Sequence, residues 1–317
     1  MIVVAGIPGE RPTELLIEAL DEIGANYRCF DQRRHEATGL SLAISNDVGG
    51  GAIGGELVID GERMALSDIT AVFLRIMDDN LLPDIATLPP GDPRRSRCRQ
   101  LHETFLRWTD ISPGRVLNRP TDMASNQSKP YQAHVIREIG FSIPETLITN
   151  DPDAARDFIE TVWNTGGRVI YKSISGVRSV VQTLRTDDLK RLDRIRWCPT
   201  QFQRYVAGTD IRVHVVGHSV FAARIESEAT DYRYAARQSG ADAVLSPTEL
   251  DTTTRARCIA LAERLRLPLS GIDLREMPSG DHACFEVNPS PAYSYYQDRT
   301  GHPIAAAIAR YLAGESD

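Results

Sequence analysis

No stretch of this chain approaches the roughly 20 consecutive apolar residues that a membrane-spanning helix needs. Its first residues, Met1-Ile2-Val3-Val4-Ala5, run straight into Gly6-Ile7-Pro8-Gly9 with no signal-peptide pattern. Cysteine is sparse: Cys29, Cys98, Cys198, Cys258 and Cys284 are scattered, odd in number and form no Cys-x-x-Cys pair. That usage points to reduced, structural thiols and a cytoplasmic setting. Positive charge is in deficit, with 36 Lys and Arg against 43 Asp and Glu and a net charge of −7. Such a balance argues against a nucleic-acid binder that works by bulk phosphate attraction, while leaving room for a local basic pocket. There is no internal repeat and no low-complexity tract. The Gly6 to Gly9 segment lacks both a Walker lysine and the full dinucleotide fingerprint, so it reads as a plain turn between strand and helix.

What is present is an ordinary soluble composition, 42% apolar and 25% charged, in 317 residues. That length suits two or three subdomains with ample core. Residues 1–114 read as an α/β lobe. It has strands at Ile2 to Ala5, Tyr27 to Phe30 and Ile69 to Ile76, the last with Arg75 near its end. Helices are expected at Thr13 to Ile23 and Ser96 to Trp108, and a small β-meander around Gly49-Gly50-Gly51. A second unit, 115–197, holds a helix from Ser125 to Ile139. Pro130 is tolerated only in a first turn, so Lys129 belongs at or near that helix's N-terminus. A helix from Asp151 to Trp163 follows, then a strand, Arg168 to Lys172, that opens into the Ser/Gly loop Ser173 to Ser179. The third unit, 198–317, reads as strands Thr200 to Val206, Asp210 to Val216 and Val220 to Ile225, with helices Asp251 to Leu265 and Pro303 to Leu312.

The most informative stretch is Cys284-Phe285-Glu286-Val287-Asn288-Pro289-Ser290-Pro291, read with Gly271-Ile272-Asp273. Side chains alternate across a strand, so Glu286 and Asn288 are expected on one polar face with Phe285 and Val287 packed inward. Asp273, in a neighbouring apolar run, adds a third oxygen side chain. Two carboxylates and a neutral amide suit Mg²⁺, which takes oxygen ligands and leaves positions for phosphates and water. The same residues also fit a solvent-facing polar edge of a sheet.

The ordered set Lys129, Lys172 with its Ser/Gly loop, Gln203-Arg204-Tyr205-Val206, Gly208-Thr209-Asp210-Ile211-Arg212, Asp273, Glu286 and Asn288 resembles the ATP-grasp superfamily. The tail Glu286 to Pro291, with Thr300-Gly301-His302-Pro303 after it, is most similar to the ribosomal-protein glutamate ligases and the microviridin-type peptide macrocyclases. The resemblance covers residues 115–312 and implies an α/β (α+β) fold in which two lobes sandwich ATP behind an N-terminal pre-grasp domain. It implies phosphate contacts from Lys129, Lys172, Ser175 and Gly176, and an adenine-reading hinge at Gln203, Arg204, Tyr205 and Val206. Asp210 would hold the ribose hydroxyls, or simply cap its turn. Asp273, Glu286 and Asn288 would hold Mg²⁺, two ions being expected and Mn²⁺ an alternative. Arg212 and Arg233 would face the reacting centre, and Arg224 is added to them from its place on the same hairpin as Arg212. Tyr293, Tyr295 and Tyr296 either line an acceptor pocket or pack beneath the loop.

The implied reaction joins a small-molecule or peptide carboxylate to an amine acceptor through an acylphosphate, releasing ADP and phosphate. Two alternatives stand beside it: a macrocyclase that binds a leader peptide and forms ester or amide crosslinks, and a nucleotide-binding protein without turnover. Neither nucleic acid nor membrane is an expected partner, and a homo-oligomer is compatible with the sequence.

Overall fold

The computed structural model describes residues 1–44, 53–173, 181–227 and 243–315. Ser175, Gly176, Ser179, Arg233 and the run Gly49 to Gly51 lie outside the described residues.

The chain opens with a parallel sheet of order β2-β1-β6-β7, formed by β1 (Ile2–Gly6), β2 (Tyr27–Asp31), β6 (Ala71–Leu74) and β7 (Arg115–Leu117). Between them, β3 (Thr38–Ile44), β4 (Ile53–Ile59) and β5 (Glu62–Ala65) make the expected antiparallel meander. The helix Arg11–Glu22 carries Leu15, Leu16, Ala19 and Leu20 on one stripe, and all four are buried. The central sheet, order β10-β9-β11-β8, comprises β8 (Thr146–Thr149), β9 (Val169–Ser173), β10 (Gln182–Thr183) and β11 (Thr200–Arg204). Its helix, Pro152–Asn164, starts where the Asp151 carboxylate accepts a hydrogen bond from the Asp153 amide at 2.9 Å.

The third sheet is antiparallel, order β14-β13-β12-β15-β16. It contains β12 (Thr209–Val216), β13 (Ser219–Glu226), β14 (Val244–Thr248), β15 (Leu269–Glu276) and β16 (His282–Asn288). Both of its faces are covered. Ile211, Val213, Val215, Ile272, Leu274 and Val287 pack against Val135 and Ile136 of the helix Lys129–Glu138 and against Cys258 and Leu261 of the helix Thr252–Arg264. Val216, Ala223, Ile225 and Leu269 share the opposite core with Ile304 and Ile308 of the helix Ile304–Ala313. That core also contains Ile2, Leu16 and Leu20, so the first and last parts of the chain are packed together. Among the described residues, no helix is long and apolar enough to cross a membrane.

Sheet membership does not change where the sequence divides the chain. β7, placed by the sequence in a second unit, is the fourth strand of the first sheet, paired in parallel with β6. β11, assigned to the third unit, lies in the central sheet between β9 and β8. The helix expected from Ser125 begins only at Lys129, because Pro130 cannot donate the amide a longer helix would require; residues Ala124–Gln127 form a 3₁₀ turn instead. The helix Tyr293–Thr300 has no counterpart in the sequence reading.

One buried side chain joins the first sheet to the third. Asn118, immediately after β7, donates to the carbonyls of Leu269 (2.5 Å) and Pro289 (2.6 Å) and accepts from the Leu269 amide at 3.1 Å. Removing that amide strands buried main-chain groups, each worth about 1–3 kcal/mol. Asn118→Ala is therefore expected to lower unfolding stability by about 3 kcal/mol or more, measured as a shifted denaturant midpoint.

Candidate active site

Strand register builds the acidic part of the site. Asp273 on β15 lies opposite Glu286 on β16, and Gly271 lies opposite Asn288. Arg212 on β12 faces Asp273 from the other side. Directly opposed residues share a sheet face, so Arg212, Asp273, Glu286 and Asn288 converge. The Arg212 Nη1 donates to Asp273 Oδ1 at 2.5 Å, and Asn288 Nδ2 donates to Asp273 Oδ2 at 3.2 Å. Lys129, first residue of its helix, reaches Glu286 Oε2 at 2.6 Å. A cation at a helix N-terminus opposes the helix dipole, and Glu286 offsets that cost.

Phe285 departs from the expected strand pattern. Register shifts between Asp273 and Leu274, so Leu274 pairs with Cys284 and Phe285 becomes the extra residue of a β-bulge. Cys284 and Val287 fill the core, and Phe285 turns instead into a cavity of about 480 Å³. Lys129, Lys172, Gln201, Gln203, Ile143 and Ile148 are among its other walls. A volume of this size, with both apolar and lysine side chains in its walls, accommodates a nucleotide. The chain has three lysines, Lys129, Lys172 and Lys190. That two of so few line one cavity is a signal the sequence offered and spacing alone does not exploit.

Of the hinge residues, Gln203 and Arg204 close β11, and Tyr205 and Val206 follow it. Gln203 Nε2 donates to Thr146 Oγ1 at 2.9 Å, and the Arg204 guanidinium bonds Glu145 (2.9 Å) and Thr165 (3.0 Å). The Arg204 and Tyr205 amides are committed to the carbonyls of Glu145 and Arg168. Arg275, which sequence reasoning missed, ties this segment to β12. Its Nη1 donates to the Val206 carbonyl at 2.8 Å and its Nε to Asp210 Oδ1 at 2.8 Å. Asp210 is thus brought beside the end of the hinge. Two guanidinium groups approach the Tyr205 ring, Arg168 at 3.8 Å and Arg275 at 5.5 Å from its centroid.

Arg224 is not brought to the cluster. It sits on β13 opposite Ile211, whose side chain enters the core on the other face of the sheet from Arg212. There it forms an ion pair with Glu276. Adjacent strands do place Arg212 and Arg224 near each other in register, but the pleat sends one-residue neighbours to opposite faces. The three tyrosines divide: the Tyr293 hydroxyl donates to the Pro12 carbonyl in the core, Tyr296 is buried, and Tyr295 is exposed beneath Arg299.

The donor set fits Mg²⁺. Asp273 and Glu286 supply carboxylate oxygens, and the Asn288 amide, donating through nitrogen to Asp273, keeps its oxygen as a third donor. Among the described residues, no group of three or more His, Cys, Asp or Glu side chains could hold a metal. An all-protein cage is therefore absent there, and a two-carboxylate, one-amide set suits a hard ion completed by phosphate oxygens.

Gly271 and His214 shape the arginine's surroundings. A Cβ on Gly271 would meet Arg212 Nη2 at 2.0 Å, so the guanidinium crosses β15 only because that residue has no side chain. His214, opposite Gly271, is buried, lies 4.8 Å from the Tyr296 ring, and its Nε2 has no hydrogen-bond partner among the described residues. Burial, and then the charge of Arg212, hold its pKa well below the ordinary value of 6.5. Two outcomes follow. Gly271→Ala should displace the guanidinium and cut ATP turnover at least about tenfold, the scale of one lost transition-state contact, with an unchanged circular dichroism spectrum. For His214, the unfolded chain takes up a proton as pH falls below about 6.5 while the native one does not, so stability present at neutral pH is lost on acidification. His214→Gln should flatten that dependence by up to about 1.4 kcal/mol per pH unit in denaturant midpoints between neutral and mildly acid pH. A slope remains, because His102 and His302 are depressed by burial in the same sense.

Comparison with known proteins gives the family and the fold. The family model for the RimK-like ATP-grasp domain covers residues 124–312. Ribosomal protein bS6–L-glutamate ligase of Escherichia coli (strain K12 / DH10B) is 29% identical over 217 residues, spanning 65% of this chain and 70% of the relative. The ATP-grasp ligase PsnB, solved with a minimal precursor, Mg and ADP, superposes with a TM-score of 0.77 at 26% identity, over 100% of this chain and 97% of PsnB. A Chryseobacterium gregarium RiPP-associated ATP-grasp ligase gives a TM-score of 0.83 at 22% identity, over 100% and 97% of the two chains. With its characteristic domain spanning well over half the sequence, the chain belongs to the RimK-like ATP-grasp family of ATP-dependent ligases.

Proposed function

We propose that this enzyme joins a peptide or protein carboxylate to an amine, using ATP and Mg²⁺ and passing through an acylphosphate. The observation that carries the reading is the convergence of Asp273, Glu286 and Asn288 with Lys129 and Arg212, beside a cavity that Lys129 and Lys172 both line. A peptide or protein as substrate is supported by the relatives, one named for a ribosomal protein and another solved with a precursor peptide.

In this reading the substrate carboxylate attacks the γ-phosphorus of ATP in line with the departing ADP, and an amine then displaces phosphate from the mixed anhydride. Mg²⁺ held by Asp273, Glu286 and Asn288 would neutralise the phosphate oxygens during transfer; two ions are expected, with Mn²⁺ as an alternative. Lys129 and Lys172 hold the terminal phosphates, joined by Ser175 and Gly176 of the segment that follows β9. Arg212, and Arg233 in the segment after β13, face charge that spreads over oxygens in the transition state. Gln203, Arg204, Tyr205 and Val206 seat the adenine. The Arg204 and Tyr205 amides are engaged elsewhere, so the Val206 amide and Arg204 carbonyl are the groups assigned to its edge. Asp210, oriented by Arg275, takes the ribose. Two sheets divide these tasks: the central sheet supplies walls for the nucleotide, and the third sheet the metal ligands and the arginine. The five free cysteines are consistent with a cytoplasmic enzyme.

A second reading, intramolecular crosslinking of a precursor peptide, is favoured by one observation. The structural likeness to PsnB, solved with a precursor, extends over the whole chain, first sheet included. ADP, not AMP, is the expected nucleotide product with candidate acidic peptides, and hydroxylamine should trap a hydroxamate. AMP and pyrophosphate would sink the mechanism. Glu286→Gln should reduce ADP formation by about a hundredfold or more while melting close to the parent. A mass loss of one water from the peptide alone marks crosslinking, and addition of an amine marks ligation.

A further inference from the structure

β16 ends the sheet order, so its outer edge presents main-chain groups that no strand of that sheet satisfies. Two side elements cover this edge. The Ser142 carbonyl accepts from the Cys284 amide at 2.9 Å, ahead of the Phe285 bulge. Beyond the bulge, Gln132 takes over: its Nε2 donates to the Val287 carbonyl at 2.7 Å and its Oε1 accepts from the Val287 amide at 3.2 Å. One side-chain amide therefore makes both bonds that a further antiparallel strand would make to that residue.

The position of this clamp matters more than its existence. Val287 lies between Glu286 and Asn288, and Gln132 lies three residues after Lys129, one turn along the same helix. Gln132 and Val287 are both buried, and the helix is further anchored by Val135 and Ile136 in the core. The 2.6 Å approach of Lys129 to Glu286 is thus set by a rigid link between helix and strand, and two flexible side chains do not have to find each other. We propose that Gln132 is a positioning residue for the metal-ligating strand, fixing Glu286 and Asn288 relative to Lys129 so that its loss weakens divalent-cation binding more than nucleotide binding. The proposal rests on the assignment of Glu286 and Asn288 as Mg²⁺ ligands.

The alternative is a plain edge cap that stabilises the fold, and the test separates the two. Mn²⁺ binding to the full chain saturated with ADP is measured by electron paramagnetic resonance for the parent, Gln132→Leu and Gln132→Glu. ADP affinity in EDTA is measured by calorimetry on the same samples. Gln132→Leu should raise the Mn²⁺ dissociation constant about tenfold, within the 10–100-fold range seen for outer residues that hold metal ligands, while ADP affinity in EDTA stays within about twofold. An unchanged Mn²⁺ constant in the folded variant overturns the proposal, and so does equal weakening of ADP with and without metal. If Gln132→Leu does not fold, Gln132→Glu carries the test: it still accepts from Val287 but cannot donate to it when ionised, and the same shift is expected. A Glu286→Gln protein that binds Mn²⁺ as the parent does removes the ligand assignment itself, and the proposal falls with it. A Glu286→Gln defect beside an unaltered Gln132→Leu removes the clamp alone.

Discussion

The site depends on one register, that between β15 and β16. Pairing Asp273 with Glu286 and Gly271 with Asn288 puts three oxygen donors on one face. A slip by one residue would send Glu286 and Asn288 into the core and bring Val287 out. The bulge at Phe285 lets Cys284 and Val287, three residues apart, both reach the core while the donors between and beyond them stay outside. The same irregularity delivers an aromatic ring to the nucleotide-sized cavity. A strand of perfect alternation would have had to give up either the packing or the ring.

Cations are distributed with similar economy. Arg212 and Lys129 each take one carboxylate of the trio, and Arg212 is only 7% exposed at its side chain. A buried guanidinium is tolerable when its charge is paired and its stem is packed, here against Tyr296, whose ring lies 5.6 Å from the guanidinium carbon. The space left by Gly271 completes that accommodation. Arg275 does comparable work at the other end of β15, joining the hinge carbonyl of Val206 to Asp210. The two arginines thus brace β15 at two points along its length.

The first sheet contributes a boundary to this site. Arg75, at the carboxyl end of β6, pairs with Glu10 at 2.8 Å and donates to Ser290 Oγ at 3.3 Å, two residues after Asn288. Carboxyl ends of parallel strands are where ligands approach in such sheets, at the point where strand order reverses. Here β1 is followed by β2 on one side and flanked by β6 on the other, and Arg75 and Glu10 meet across that point.

The linear pattern determined the ordered set of polar residues, the helix start forced at Lys129 by Pro130, the capped helix at Asp151 and the strands that bear Asp273 and Glu286. These are local matters: φ restriction, a side-chain oxygen near an amide, alternation over a few residues. Their membership in lobes was not local. β7 and β11 joined sheets across the boundaries the sequence suggested, because pairing partners are chosen by exposed edges and buried faces far along the chain. The same reason separates Arg212 from Arg224, adjacent in register yet on opposite faces. It also explains why Gln132, Asn118 and Arg275 carry no signature in sequence: each acts on a backbone or carboxylate group that only the folded chain brings within reach.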